Sequence, residues 1–406
     1  MRKILLLAAT LYLLVAPFTY HPDNKLVLYY ATLGNGKVWD IYSYLNTNYD
    51  AAPKFHYPPM HYWVVKAEYP LVRLVGGKGI ENWLRRGANE AFDDPNIFIY
   101  NLATKLPILG LVLLTGWLIF KICLQQGFNN YKSRWAAAIW LFNPIIFYSA
   151  IVMGQNDMLA IAPFMVGWYL MSSYPWVAFA IFGIASGIKT YPLIWAIYLA
   201  FTYVKFPIWK RLGLVMVSIG IYYLTMAPFL RYEYFRTDVL YSGLATRMFE
   251  AGIDIGLGDR VLIVPLLLGI LLLVAISKKI GKSFVNTAKL LVAVNLIILG
   301  FIHFHPQWFI WIVPFLSIYL ASHKKDFLSL WLLLGVMVGV VLLFDDKFLY
   351  WGLLSPLNNG LLNLPLIRDV LVAKGMDVML LSNLLHTLAA AVGGYWFWKV
   401  LSEKNK

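Results

Sequence analysis

The chain has 406 residues, of which 60% are hydrophobic and only 13% charged, with a mean hydropathy of +0.67. Soluble domains carry about 25% charged residues, so a soluble globular protein is excluded and an all-α integral membrane protein is expected. The net charge of +14 gathers in short loops between apolar runs, which marks orientation in a membrane and gives no support to nucleic-acid binding.

The first segment, "MRKILLLAATLYLLVAPFTY", has a basic start and an apolar run but no small-residue cleavage site. It predicts an uncleaved helix over 4–19. Further apolar runs predict spans at 100–123, 135–153, 157–172, 175–190, 191–204, 212–229, 261–277, 286–302, 307–321, 327–344 and 378–398. Each is near the roughly 20 residues, with about 17 as a lower limit, that a crossing helix needs. In "GIKTYPLIW", Pro192 removes a backbone donor and disfavours helix at Tyr191, which divides 175–190 from 191–204. About twelve transmembrane helices in a single domain, 1–406, follow, with both termini cytoplasmic. Cys123 is the only cysteine, so no internal disulfide forms.

Charge supports the divided arrangement. With it, one side collects 17 of the 34 basic residues against only two acids, Asp326 and Glu403; the C-terminal Lys404 and Lys406 are among those bases. Without it, nine acids move to that same side. An excess of Lys and Arg identifies the cytoplasmic side. The other side then receives three long segments, about 20–99, 230–260 and 345–377. Segments of that length are uncommon unless functional. Within the first, "MHYWVVKAEYPLVRLVG" mixes Trp63, Val64, Leu71 and Leu74 with Lys66, Glu68 and Arg73. It predicts a helix lying at the interface or packed against the other external segments.

The polar residues that interrupt or flank the spans fall on that external side. They are Asp23 in "YHPDNK", Asp40 in "KVWDIY", "HYPPM" at 56–60, "GQND" at 154–157 and Lys189 in "GIKTYP". Arg231 and Glu233 in "LRYEYF", "HFHPQW" at 303–308 and "FDDKF" at 344–348 complete the set. Ionisable residues near a span are expensive to bury and tend to mark function. A secondary transporter places its coupling residues near the midplane, on broken helices of a repeated architecture. Clustering at one interface, with no internal repeat, points instead to an enzyme acting on a bilayer-presented substrate.

In order along the chain, Tyr20-His21-Pro22-Asp23, Gly36 before "DIY", "YPPMHYW", "GQNDMLA", "GIKTYPLIW" and "HPQWFIWIVPFL" resemble the multi-pass C-type glycosyltransferases that use a polyprenyl-phosphate sugar. The likeness is to mannosyltransferases related to those of glycosylphosphatidylinositol assembly and their bacterial relatives. It covers most of residues 1–320; residues 345–406 carry no motif of this kind. The resemblance implies transfer of a sugar, mannose favoured, from a lipid phosphate to an acceptor hydroxyl on the extracytoplasmic face, usually with inversion. The acceptor would be a glycan, lipid or protein, and in a prokaryote the membrane would be the plasma membrane.

That chemistry needs a base for the acceptor proton and positive charge near the departing phosphate. A partly desolvated carboxylate is the better base. Asp23, just past the first helix, is where the resemblance places the catalytic acid. Asp40 is the second candidate, or else binds sugar or caps "IYSYL". Lys189 is the first candidate for the phosphate, with Arg231 and Arg260 behind it, against a snorkelling role for the lysine. His303 and His305 are candidates for phosphate or sugar. Two residues apart, they do not stack on a helix, so no metal site and no cofactor is expected. Tyr57 and His56 are candidates to face a sugar. In "GQND", Asn156 or Asp157 is expected to cap the next helix, whose start also suits a phosphate, and Gln155 to hold the sugar or its phosphate. Three other readings stay open: the same fold with another sugar, a transporter or flippase of a lipid-linked glycan, and a non-catalytic scaffold.

Overall fold

The computed structural model describes residues 1–48, 53–87, 90–203, 205–242 and 246–402. Glu403, Lys404 and Lys406 of the charge balance lie outside the described residues. The chain is mostly helical, and every expected span falls on a helix. Arg2–Val15 is followed by a 3-10 turn, Ala16–Phe18, and then a bend of 89° into Pro22–Thr32. Next come Ile97–Gln125, then Asn130–Leu141 continued through Pro144–Ile146 into a π-helical turn at Phe147–Val152. Met158–Leu170, Pro175–Ile188, Tyr191–Tyr198, Ile208–Met226, Ile263–Ser277, Phe284–Phe301, Val313–Leu320, Phe327–Leu343 and Val378–Leu401 complete the set.

Length separates these helices. Among the described residues, six are long and apolar enough to cross a membrane, or seven if the bent first pair is one span. Met158–Leu170, Pro175–Ile188, Tyr191–Thr202 and Ile263–Ser277 are apolar but shorter. A helix of 13 residues such as Met158–Leu170 is about 20 Å long, against a hydrocarbon core of about 30 Å. Two of the short helices, Met158–Leu170 and Pro175–Ile188, carry "GQND" and Lys189 at their ends.

Local sequence accounts for the starts and stops. Pro22, Pro59, Pro144, Pro175, Pro192 and Pro306 each sit in the first turn of their helix, where the missing N–H costs nothing. Asn129 accepts from Lys132 N, Asn143 from Ile145 N and Asp377 from Leu380 N, as side-chain caps. The expected break before Pro192 is present: Lys189 is extended (φ −145, ψ 143) between Ile188 and the helix that starts at Tyr191.

The Phe284–Phe301 helix is the most enclosed of the long apolar helices, while Val378–Leu401 and Ile208–Met226 keep most of their surface outward. Within this core Trp195 donates to Asn295 Oδ1 at 3.1 Å, and Asn295 Nδ2 donates to Leu291 O at 2.7 Å. At one end of the bundle Lys399 pairs with Asp326 at 2.6 Å and Lys324 lies over Trp135. These residues share a side in the charge balance.

The long 20–99 segment folds into Pro22–Thr32, Ile41–Thr47, Pro59–Gly76 and Ile80–Arg85. The amphipathic Pro59–Gly76 helix packs on Ile97–Gln125 and Pro175–Ile188, burying His61, Tyr62, Val65 and Val72 and leaving Leu71 and Leu74 exposed. The all-helical expectation needs one amendment. Gly252–Gly256 pairs antiparallel with Asp259–Leu262 in a short hairpin, turned through Gly256 and Gly258 at positive φ. Its ion pair, Arg260 with Asp254 at 2.8 Å, is exposed.

Candidate functional site

The helices Met158–Leu170 and Pro175–Ile188 have nearly equal lengths and are joined by a four-residue turn, so they run antiparallel and pack closely. The start of the first therefore meets the end of the second. Lys189 Nζ lies 2.9 Å from Asp157 Oδ1 there, with the carboxylate buried and the lysine side chain 13% exposed. Both charges suit their positions, the acid at a positive helix start and the cation at a negative helix end. Trp311 Nε1 donates to the same oxygen at 2.7 Å, and Tyr191 OH donates to Asp157 O at 3.3 Å. The rings of Tyr191 and Trp311 stack at 4.1 Å, and Trp311 stacks on Trp308 at 5.0 Å.

This geometry corrects the reading of Asp157 as a helix cap. It occupies the cap position, but its side chain accepts no backbone N–H of that helix. Its carboxylate is spent on Lys189 and Trp311, which supply stronger, charge-assisted partners. A phosphate at this helix start would also meet the buried carboxylate, so the ammonium is the better phosphate contact. Asp157 Oδ2 and Asn156 Oδ1 are buried and accept from no described residue.

Asp23 stands beside this pair. The 89° bend and Pro22 start a helix at which His21 is the cap, accepting from Asp23 N at 3.2 Å. The Asp23 side chain is 49% exposed, and Gln155 Nε2 donates to its Oδ2 at 3.4 Å. Gln155 thus holds a carboxylate. Gly154 allows this approach: its φ is +72, and a Cβ there would stand 2.8 Å from Asn24 Nδ2 and 3.1 Å from Lys105 Cγ.

Tyr57 and the buried His61 close another wall. Their rings stack at 4.2 Å, and Lys189 Nζ lies 5.3 Å over the Tyr57 ring. Burial, with Lys189 nearby, pushes the His61 imidazole down to about 3. His305 packs on Trp308 and Phe344. Burial first, then Arg247, lowers its pKa to about 4, against a smaller opposite pull from Asp23. His303 stacks with Phe344 and with His386, which the sequence did not single out. Arg247 lies over Trp308 and donates to His303 O at 3.0 Å.

Asp23, Gln155, Asn156, Asp157, Lys189, Tyr57, His303 and His305 are therefore brought together. Other candidates are not. Asp40 caps its helix, accepting from Tyr42 N at 3.0 Å and Ser43 Oγ at 2.6 Å. Arg231 is exposed and donates to Tyr232 OH. His56 faces Asp238 O at 3.1 Å. Among the described residues, no group of three or more His, Cys, Asp or Glu is placed to hold a metal.

Lys105 is the residue the sequence reading passed over. It is 1% exposed inside the Ile97–Gln125 helix. Its ammonium donates to Ala16 O at 3.2 Å, Thr19 O at 2.7 Å, Thr19 Oγ1 at 2.6 Å and Val152 O at 2.7 Å. It joins the end of the first helix to the strand of chain that carries "GQND". A lone cation in "NLATKLPIL" was the available signal.

Residues 81–205 match the family described as Alpha-(1->6)-mannopyranosyltransferase, N-terminal domain (the MptA_B family). The chain is a membrane glycosyltransferase. The match covers under a third of its length and supports the C-type mannosyltransferase resemblance, and the matched segment contains Gln155, Asp157 and Lys189. Asp23 and His305 lie outside it. No curated protein matches the chain.

Proposed function

We propose that the enzyme moves a mannosyl group from polyprenyl-phosphate mannose to an acceptor hydroxyl on the extracytoplasmic face of the membrane. The reading is carried by the half-exposed Asp23 carboxylate, held by Gln155 next to the buried Asp157–Lys189 pair. Asp23 takes the proton of the acceptor hydroxyl as its oxygen attacks the anomeric carbon. The bond from that carbon to the lipid phosphate oxygen breaks, and its electrons leave with polyprenyl phosphate, which gains one negative charge. Lys189 faces that charge with its remaining N–H groups, while Asp157 and Trp311 fix its position. One displacement inverts the anomeric carbon. Tyr57 and Trp308, both half-buried, offer ring surface for the sugar. Base and positive charge both come from side chains, so the scheme calls on no cofactor.

The test uses membranes containing Asp23→Asn, supplied with labelled polyprenyl-phosphate mannose and an acceptor. Correct insertion with transfer reduced by about 10²–10⁴, the usual worth of a general base, is expected. Transfer at the wild-type rate would sink the assignment. Cysteine labelling of positions 155, 189 and 305 in intact cells, in a Cys123-free background, tests the face. Labelling only after permeabilisation would overturn it.

A further inference from the structure

Residues 345–377 belong to none of the motifs that carry the resemblance, yet they fold tightly against the site. Phe344, the residue just before this segment, packs on His303 and His305, at 6.1 and 5.3 Å. Phe348 packs on Tyr20 at 5.8 Å, three residues before Asp23. Tyr20 N donates to Leu353 O at 2.9 Å, and Tyr148 OH donates to Leu349 O at 2.7 Å. The segment is therefore tied to the chain that presents Asp23 and to the turn that precedes "GQND".

Between its two halves lies an open cavity of about 690 Å³, lined by Asp345, Asp346, Lys347, Phe348, Asn359 and Asn363 among others. That volume falls in the range of about 300–1,000 Å³ usual for small-molecule sites. Its polar groups divide into two sets. Asp346 caps Phe348 N at 2.8 Å and Lys347 Nζ donates to Leu362 O at 2.5 Å, so these shape the wall. Asn359 and Asn363 are exposed, and the exposed Asp345 has only a loose pair with Arg368 at 3.6 Å. Two amides and a carboxylate recognise hydroxyl groups, as donors and acceptors. Two wall acids against one wall lysine disfavour an anion. Phe348 adds an apolar face. The lining thus fits a neutral polyhydroxylated ligand and not a lipid phosphate.

We propose that this cavity is the acceptor subsite, binding sugar units of a neutral oligosaccharide acceptor and presenting its terminal hydroxyl toward Asp23. The proposal rests on the reading of the chain as a glycosyltransferase, but it concerns binding alone.

The experiment uses the full-length enzyme in detergent with a photoactivatable α-linked mannotriose as probe, followed by peptide mapping. Labelling within 345–366, lost in the triple variant Asp345→Ala/Asn359→Ala/Asn363→Ala and insensitive to millimolar inorganic phosphate, is expected. All three side chains are on the surface, so unaltered thermal stability of the variant is expected and checked. Labelling elsewhere, labelling that survives the triple variant, competition by phosphate, or no labelling would each overturn the proposal. The same labelling in Asp23→Asn separates the two readings. Retained cavity labelling with retained transfer would remove the base and leave the subsite, while lost labelling in an enzyme that still needs Asp23 would remove the subsite alone.

Discussion

Lys189 Nζ and Asp157 Oδ1 stand 2.9 Å apart where two short antiparallel helices meet, and the carboxylate is fully buried. Removing one partner of such a pair leaves the other uncompensated and costs about 3–5 kcal/mol, whereas removing both together costs less. Lys189→Met and Asp157→Asn should each lower the melting temperature in detergent. The double variant Asp157→Asn/Lys189→Met should be more stable than the sum of the two losses. Strict additivity would show that the pair is not coupled.

Gln155 offers a milder perturbation of the same site. Its amide donates to Asp23 Oδ2 at 3.4 Å from a buried turn. Gln155→Ala should reduce kcat about tenfold, which corresponds to about 1.4 kcal/mol of barrier, by letting the carboxylate rotate. The donor KM should stay within about twofold. A change confined to KM would place Gln155 on the substrate and not on the base.

Lys105 has no contact with Asp23, yet it fastens Ala16, Thr19 and Val152 together. Each buried carbonyl left without a donor costs about 1–3 kcal/mol. Lys105→Met should therefore be destabilised by several kcal/mol and should lose activity more steeply than stability, because the distance from Asp23 to Gln155 is set through this clamp. Purified Lys105→Met with wild-type melting behaviour would contradict this.

Gly154 sits next to that clamp at φ +72, a conformation that costs an L residue about 1–2 kcal/mol. An added Cβ would also press on Asn24 Nδ2 at 2.8 Å. Gly154→Ala should lower both the melting temperature and kcat. Gly335→Ala, inside a helix where a Cβ meets nothing within 4 Å, is the control and should lower neither.

The helices were legible because apolar runs and prolines act locally. Pro70, Pro107 and Pro163 sit inside helices that continue through them, so Pro192 marked the division at Lys189 only together with the charge balance. The number of crossings was less legible, since runs such as 157–172 yield helices of about 20 Å whose relation to the bilayer depends on their neighbours. In the site, Asp23, Asp157, Lys189 and His305 were visible as polar interruptions in apolar sequence. Their division of labour was not. Asp157 looks like a cap until Trp311, 154 positions away, is seen to share its oxygen. Lys105 was overlooked because three of its four partners are backbone oxygens, which leave no mark in the sequence. Arg247 and His386 join the histidines only through tertiary packing.

The last expectation concerns pH. Burial, reinforced by Arg247, holds the His305 pKa at about 4, below the ordinary value of 6.5, and burial with Lys189 holds His61 at about 3. In the unfolded chain both rings take up protons below about pH 6.5. The unfolded state then binds more protons than the folded one, so stability rises with pH across that window. Their contribution is complete above about pH 6.5 and is lost as pH falls towards 4 and then 3. Melting temperatures in detergent should fall steadily between pH 6.5 and 4. His305→Gln should flatten that slope by up to one proton's worth, because a glutamine does not titrate. His61→Phe, which keeps a ring under Tyr57, should flatten it further. An identical slope in wild type and both variants would show that these rings are protonated in the folded enzyme, and that other groups set its acid sensitivity.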